Sequence, residues 1–351
     1  MKKIPTLFQR EFENHNVVNI HPQVKEGLEW VLAGEGIATE KIDGACTAVI
    51  DGVFYKRYDA KKDKHGTLKI PPEGAIPCDG PDPITGHWPH WVKVNETEPA
   101  DRWFIEAYQN TLMDDEKLPD GTYEAIGPHF QSNPYRLDKD TLVRHGSKEI
   151  DLIDRSFDGI REFLGQHRME GIVFWKDGEP RCKIKRRDFG FKWPCKEKDI
   201  EDYVAQTNRE LIERFPFLLP GYGRNEDGGI SSDFDYSFTE LDSMPTGWRI
   251  AFGEKMCEEI KEALLSSSST EAERERVLRE YRILEIKEKY GQLRWYDSGS
   301  VNDIIDKYSR LSETICVRCG KPATRWSTHW ISPYCDDCGP KYERYVPVTA
   351  E

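Results

Sequence analysis

The chemistry of this chain gathers around one lysine, Lys41, in the run Thr39-Glu40-Lys41-Ile42-Asp43-Gly44. Ala45–Ile50 reads as a strand, Asp51-Gly52 as a two-residue turn, and Val53–Tyr58 as the returning strand. Counting back from that turn, Ile50 faces Val53, Thr47 faces Lys56 and Cys46 faces Arg57. A lysine at the mouth of a hairpin, with a cation returning beside it, suits attack on a phosphate. An ordinary lysine amine is almost wholly protonated at neutral pH, which penalises a nucleophile by roughly 4 kcal/mol. Burial and a neighbouring cation such as Arg57 both favour the neutral amine that attacks phosphorus. By itself Lys-x-Asp-Gly is a weak signal, equally at home as a turn lysine before a hairpin.

A second hairpin adds weight: Gly171–Trp175, a turn at Asp177-Gly178, then Arg181–Lys185. Pairing Lys176 with Glu179 sets Ile172 opposite Lys183 and Glu170 opposite Lys185. On that register Glu170, Arg181, Lys183 and Lys185 share one face, while Val173, Trp175, Cys182 and Ile184 line the core. A carboxylate amid three cations can hold a divalent metal and neutralise phosphates. The plainer alternative is a solvated, salt-bridged hairpin.

A third constellation ends the chain. Cys316-Val317-Arg318-Cys319 and Cys335-Asp336-Asp337-Cys338 are separated by 15 residues, a spacing that suits a closed, tetrahedral, structural zinc site with four thiolates. His329 between the knuckles is a rival ligand that four cysteines make unnecessary. Arg318, Lys321, Arg325, Trp326, His329 and Trp330 make the intervening loop basic and aromatic. That composition suits stacking on single-stranded nucleic acid, or a ribbon that only packs on the preceding helix.

The elements that must position these groups are legible in outline. A short helix is expected around Val24–Leu32, and Pro71–Pro89 reads as an excursion loop. Trp103–Tyr108 reads as a strand, and Asp120-Gly121 as a turn into Thr122–Gly127. Ser156–Gln166 carries a helical apolar stripe. After Trp193-Pro194 the character changes: residues 199–215, Glu254–Leu265, Thr270–Leu278 and Val301–Ser312 read as helices, with a capping box at Thr270/Glu273. Pro220–Gly247 reads as a long loop, Tyr281–Tyr296 as a hairpin turning at Gly291, and Trp248, Trp295 and Tyr296 as core. The expected fold class is α+β: residues 1–198 as antiparallel sheets flanked by helices, 199–315 as a helix-rich domain, and 316–351 as a zinc ribbon.

Composition bounds the rest. With 351 residues, two domains are the default, and 37% hydrophobic content with 10 tryptophans supplies their cores. The net charge of −13 argues against a protein that coats nucleic acid along its whole surface, so local clusters must decide binding. Two flank the motifs: Lys56-Arg57 with Lys61, Lys62, Lys64 and Lys69, and Arg181, Lys183, Lys185, Arg186, Arg187 and Lys192. No window approaches a membrane span, no secretory signal opens the chain, and the 9 cysteines lack disulfide-like spacing. Together these point to a reducing, cytoplasmic setting.

The motif order resembles the covalent nucleotidyltransferase superfamily of ATP-dependent RNA and DNA ligases and GTP-dependent capping enzymes. Within it the chain is most similar to the 5′-to-3′ RNA ligase family that includes the human enzyme. The shared words are Thr39-Glu40-Lys41 with Asp43-Gly44, Gly127 with Asn133-Pro134-Tyr135, His145-Gly146, Glu170-Gly171-Ile172-Val173, and Gly190 with Trp193-Pro194. They cover residues of about 35–195, weaken from Pro71 to Pro99, and stop at Pro194. The resemblance implies that Lys41 is the nucleotidylated lysine and that Glu40, Arg57, Tyr123, Glu124, Glu170, Lys183 and Lys185 contact ATP. It further implies Tyr123-Glu124 on base and ribose, Glu170 at magnesium or manganese, and Lys183 and Lys185 as catalytic cations. The implied activity is RNA ligation at 5′-phosphate and 3′-hydroxyl ends, as in RNA repair. No five-stranded OB barrel is apparent after the last motif, which favours RNA ligase over DNA ligase or guanylyltransferase. A non-catalytic nucleic-acid-binding protein on the same scaffold is the rival from another class.

Overall fold

The computed structural model describes residues 3–348 apart from 14–15, 62–65, 68, 83–85, 113–116 and 300. The chain is mixed α+β with antiparallel sheets, and it divides into two compact units, Met1–Lys196 and Glu197–Glu351.

In the first unit β1 (Phe8–Glu13) and β2 (Asn16–Val24) form a hairpin, followed by β3 (Ile37–Glu40), β4 (Ala45–Ile50), β5 (Val53–Ala60), β6 (Ile76–Pro77) and β7 (Trp88–Lys93). Then come α1 (Arg102–Thr111), β8 (Gly121–Ile126), β9 (Thr141–Arg144), α2 (Phe157–Gln166), β10 (Gly171–Lys176) and β11 (Glu179–Lys185). Six strands make one sheet in the order β6-β7-β5-β4-β8-β9, and three make another in the order β11-β10-β3. Both hairpin turns use a left-handed pair, Asp51-Gly52 and Asp177-Gly178. Such turns match strand twist, and glycine takes the second position without strain.

Two cores back these sheets. Ile172, Phe174, Cys182 and Ile184 pack with Ile160 and Leu164 of α2 behind the three-stranded sheet. Ser156 caps that helix by accepting from the Gly159 N–H (3.0 Å). Val49, Tyr123, Ala125 and Leu142 pack with Ala107 of α1 and Phe130 behind the larger sheet. Trp103–Tyr108 is therefore helix, not the expected strand. Its apolar run fits either period, and the tertiary context settles it: Phe104 meets Phe130 and Tyr108 meets Phe54 from one helical face. The expected helix at Val24–Leu32 shrinks to one 3₁₀ turn at Glu29–Val31, because β2 runs as far as Val24.

The second unit contains α3 (Glu197–Arg214), α4 (Thr246–Trp248), α5 (Glu254–Leu265), α6 (Glu271–Glu280), β12 (Ile283–Lys289), β13 (Gln292–Asp297), α7 (Asn302–Ser312), β14 (Arg325–Ser327), β15 (Pro333–Tyr334) and β16 (Tyr345–Pro347). The Thr270/Glu273 capping box forms as expected, and Tyr290-Gly291 turns the β12–β13 hairpin. The cysteine segment lies within the second unit. Trp248, wholly buried, donates from Nε1 to the Ile315 carbonyl (3.0 Å), and a side chain at Gly247 would meet the Cys316 carbonyl at 2.2 Å. Trp295 is also core, whereas Tyr296 is exposed. The expected loop Pro220–Gly247 is irregular but anchored by buried Phe234, Leu241 and Met244. Among the described residues no helix is long and apolar enough to cross a membrane.

Candidate active site

Lys41–Gly44 cross from the end of β3 in the smaller sheet to the start of β4 in the larger one. The Lys41 N–H donates to the Gly171 carbonyl (2.8 Å), so its backbone prolongs the β3–β10 ladder. Gly44 is required by close approach, since a Cβ there would lie 2.2 Å from the Ala125 carbonyl oxygen. Between them the Asp43 N–H donates to the Tyr135 hydroxyl (2.7 Å), and its carboxylate accepts from Trp193 Nε1 (2.8 Å). Two distant loops thus clamp the crossing.

At its head, Lys41 Nζ lies 2.5 Å from Glu170 Oε2, and Lys185 Nζ lies 2.7 Å from Glu170 Oε1. Burial alone would raise the Glu170 pKa, but the two ammonium groups outweigh it and hold the carboxyl below the usual carboxylate range. Lys183 is pushed down to about 8, first by burial and then by Lys41, Lys185 and Arg10. Burial raises Asp43, with Trp193 opposing. Two lysines on one carboxylate, with Lys183 close enough to feel all three charges, leave a surplus of positive charge, which a phosphate would neutralise. Glu170, with Asp43 coupled to it, offers the oxygen donors that a hard divalent ion takes.

A cavity of about 300 Å³ opens beside this cluster, lined by Lys41, Glu40, Ile42, Glu124, Val173 and Lys183 among others. Glu124 accepts from the Gly44 N–H (3.1 Å) and from His145 Nε2 (2.7 Å). Arg57 also lines the cavity, its Nε donating to Asp59 (2.9 Å). Cys46, Glu124 and His145 lie within 4.8 Å of one another. Burial, followed by Glu124, pushes the Cys46 thiol up to about 12. Glu40 is raised by burial against the pull of Lys148, 3.6 Å away.

Several expected residues fall elsewhere. Tyr123 alternates away from Glu124 into the core behind the sheet, where its hydroxyl donates to the Pro119 carbonyl (2.6 Å). The second hairpin is bulged: Lys176 pairs with Glu179 as expected, but Trp175 pairs with Pro180 and Phe174 with Cys182, leaving Arg181 unmatched. Lys183 therefore faces Val173, and Lys185 faces Gly171, one position off the unbulged register. Val173 and Trp175, expected in the core, line the cavity instead, and Ile172 and Phe174 take the core. Arg181 leaves the Glu170 cluster and bonds the Lys176 carbonyl (3.2 Å). Arg186, expected in a basic surface, is buried and donates to the carbonyls of Leu164, His167 and Lys192. Lys56 pairs with buried Asp101, Lys61 and Lys69 are exposed, and Lys62 and Lys64 lie outside the described residues.

In the second unit the Sγ atoms of Cys316, Cys319, Cys335 and Cys338 lie within 4.8 Å of one another, with Cys319 and Cys335 at 3.6 Å. Tetrahedral zinc with Zn–S near 2.3 Å needs sulfurs about 3.8 Å apart. Cys316 is brought down to about 4 by Cys338 and, against burial, by backbone N–H groups of Cys335, Cys319 and Arg318. The donor set fits a zinc ion held as a structural clamp. His329 is 87% exposed in its side chain and stands apart from the sulfurs.

Comparison with models of known protein families and with curated proteins finds no match. Cys46, Asp59 and Lys148 were invisible as site residues in the sequence, since only the pairing of β4 with β5 and β8 gathers the first two, and only the bond from the Glu40 N–H to the Lys148 carbonyl (2.8 Å) brings in the third. The Glu170 word, followed across the Asp177-Gly178 turn by Lys183 and Lys185, was the signal that did exist.

Proposed function

We propose that the chain is an ATP-dependent RNA ligase that works through a lysyl-AMP intermediate. The observation that carries this reading is Lys41 held 2.5 Å from Glu170, with Lys185 on the other carboxylate oxygen and Lys183 on the wall of the same cavity. In the resting state the Lys41 ammonium is ion-paired. Once deprotonated, its amine attacks the α-phosphorus of ATP, forming a P–N bond as the P–O bond to pyrophosphate breaks. An RNA 5′-phosphate oxygen then takes the AMP from Lys41, giving a phosphoanhydride and restoring the amine. Finally an RNA 3′-hydroxyl attacks that 5′-phosphorus, sealing the strand and releasing AMP. Lys183 and Lys185 neutralise the equatorial oxygens in each transfer. Magnesium or manganese bound at Glu170 would supply further charge on those oxygens. Glu124, fixed by His145 and the Gly44 N–H, suits a ribose hydroxyl. Tyr123 has no part in base contact, and Val173 and Ile42 offer the apolar surface in its place.

The deciding test is intact mass after incubation with ATP and divalent metal. Gain of one AMP mass, absent with GTP and absent in Lys41→Ala, is expected. A chain that stays unmodified under these conditions would return the scaffold to a non-catalytic role.

A further inference from the structure

The second unit carries a surface that the ligase reading does not use. Ser327 and Ser332 close a tight loop through Ser327 N–H to the Ser332 carbonyl (3.0 Å) and Ser332 N–H to Ser327 Oγ (3.0 Å). The β14–β16 ladder pairs Ser327 with Tyr345, and the Thr328 N–H continues it to the Arg344 carbonyl (3.0 Å). One step on, the His329 N–H donates to Glu343 Oε1 (3.0 Å). Trp330 lies in the turn from β14 to β15 and Tyr342 just ahead of β16, and they are 73% and 89% exposed. Lys341 and Arg344 flank Tyr342, also exposed, while the acidic neighbour Glu343 is turned inward to His329. On a chain of net charge −13, this end of the sheet presents two aromatic rings and two cations.

We infer that the Trp330/Tyr342 tip binds the unpaired bases of a single nucleic-acid strand, the rings stacking on bases and Lys341 and Arg344 neutralising the backbone. Large rings left in water beside cations, with their local carboxylate already engaged, match what a single strand offers, which is stackable faces on a polyanion. A protein partner would be met by more contiguous apolar surface and less charge. A duplex hides its base faces and gives the rings nothing to stack on. The four-cysteine clamp, joined to β14 and β15 by the same sheet, holds the tip without contributing to contact.

The inference stands apart from the ligase reading, because binding needs neither ATP nor Lys41. The probe is a fluorescein-labelled 12-nucleotide RNA without secondary structure, added to the full chain without ATP, with the same sequence as a duplex for comparison. Single-stranded RNA is expected to bind more tightly than duplex. Trp330→Ala and Tyr342→Ala should each weaken it about tenfold, and Trp330→Phe and Tyr342→Phe should largely preserve it. Lys341→Ala with Arg344→Ala should flatten the salt dependence by about 1.4 in log–log slope. Unchanged zinc content in each variant shows that the sheet is intact. Equal affinity for duplex, unaltered binding by the Trp330→Ala/Tyr342→Ala double variant, or a dimer that this double variant converts to monomer would overturn the inference. Loss of the AMP adduct with strand binding intact would sink the ligase reading alone.

Discussion

At the residue scale the site turns on charge balance around Glu170. Lys41→Ala should abolish the AMP adduct and leave the fold intact, since this lysine contributes chemistry more than packing. Lys41→Arg should fail equally, because a guanidinium keeps its proton and cannot attack. Glu170→Gln removes the counter-charge for Lys41 and Lys185 together, so adduct formation should slow by about a hundredfold or more. A Glu170→Gln variant that forms adduct at the normal rate would remove the carboxylate from the mechanism. Lys183 gives a pH signature with a definite sign. Its pKa is about 8 in the fold against 10.5 for an ordinary lysine, so between these values the unfolded chain binds the proton more readily. Stability from this group therefore rises with pH through that window, and the charged form below it opposes folding. Lys183→Met should be more stable than the parent in urea at neutral pH, with the gap closing as pH climbs, while adduct formation falls. A gap independent of pH would show that Lys183 is not held in this environment.

At the element scale the bulge in β10–β11 decides which side chains reach the cavity. Because Arg181 is the unmatched residue, its deletion leaves the Phe174–Cys182 and Val173–Lys183 pairs in phase. The adduct should survive that deletion within a few-fold, although the hairpin would lose some twist. In an unbulged hairpin the same deletion would turn Lys183 and Lys185 to the opposite face and abolish chemistry. Labelling each variant with ATP separates the two outcomes. The Lys41–Gly44 crossing makes the complementary point. Gly44→Ala would press a methyl group against the Ala125 carbonyl. It should cost on the order of 2 kcal/mol or more, and should lower the adduct yield by moving Lys41 off Glu170.

At the scale of the whole molecule, two units imply two separable kinds of damage. Elemental analysis should find about one zinc per chain, and Cys319→Ser or Cys335→Ser should lower it. Metal binding of this kind contributes directly to folding, so hydrogen exchange should accelerate in the residues after Val301. Adduct formation, which uses only residues of Met1–Lys196, should persist. Full zinc retention in both variants would count against these ligands. Sealing is the second whole-molecule test. A site that reads RNA must contact the 2′-hydroxyl, so all-RNA ends should be sealed well and all-DNA ends poorly at one salt concentration. Equal sealing of DNA would overturn the RNA assignment while leaving the lysyl-AMP chemistry standing.

The sequence by itself determined what is local. Asp51-Gly52 and Asp177-Gly178 specify their turns through φ preference. Ser156 and Thr270 specify helix starts through capping, and the paired Cys-x-x-Cys words specify a four-sulfur cluster through spacing. Each depends on residues a few positions apart, where the backbone leaves little choice. Only the tertiary structure decided the rest. Alternation along β8 was readable, yet nothing in the run Thr122–Ile126 says which face meets a pocket, and Tyr123 went to the core. Periodicity could not separate helix from strand in the six apolar-rich residues Trp103–Tyr108, where packing on Phe54 and Phe130 chose the helix. A bulge costs no visible change in the alternation of Arg181–Lys185, so the true register emerged only when Ile172, Phe174, Cys182 and Ile184 were buried together against α2. Cys46, Glu124 and His145 lie far apart in the chain and meet because β4 pairs with β8 and the His145 N–H bonds the Thr122 carbonyl (3.0 Å). Such long-range pairings are fixed by burial of whole faces, which no short window of sequence contains.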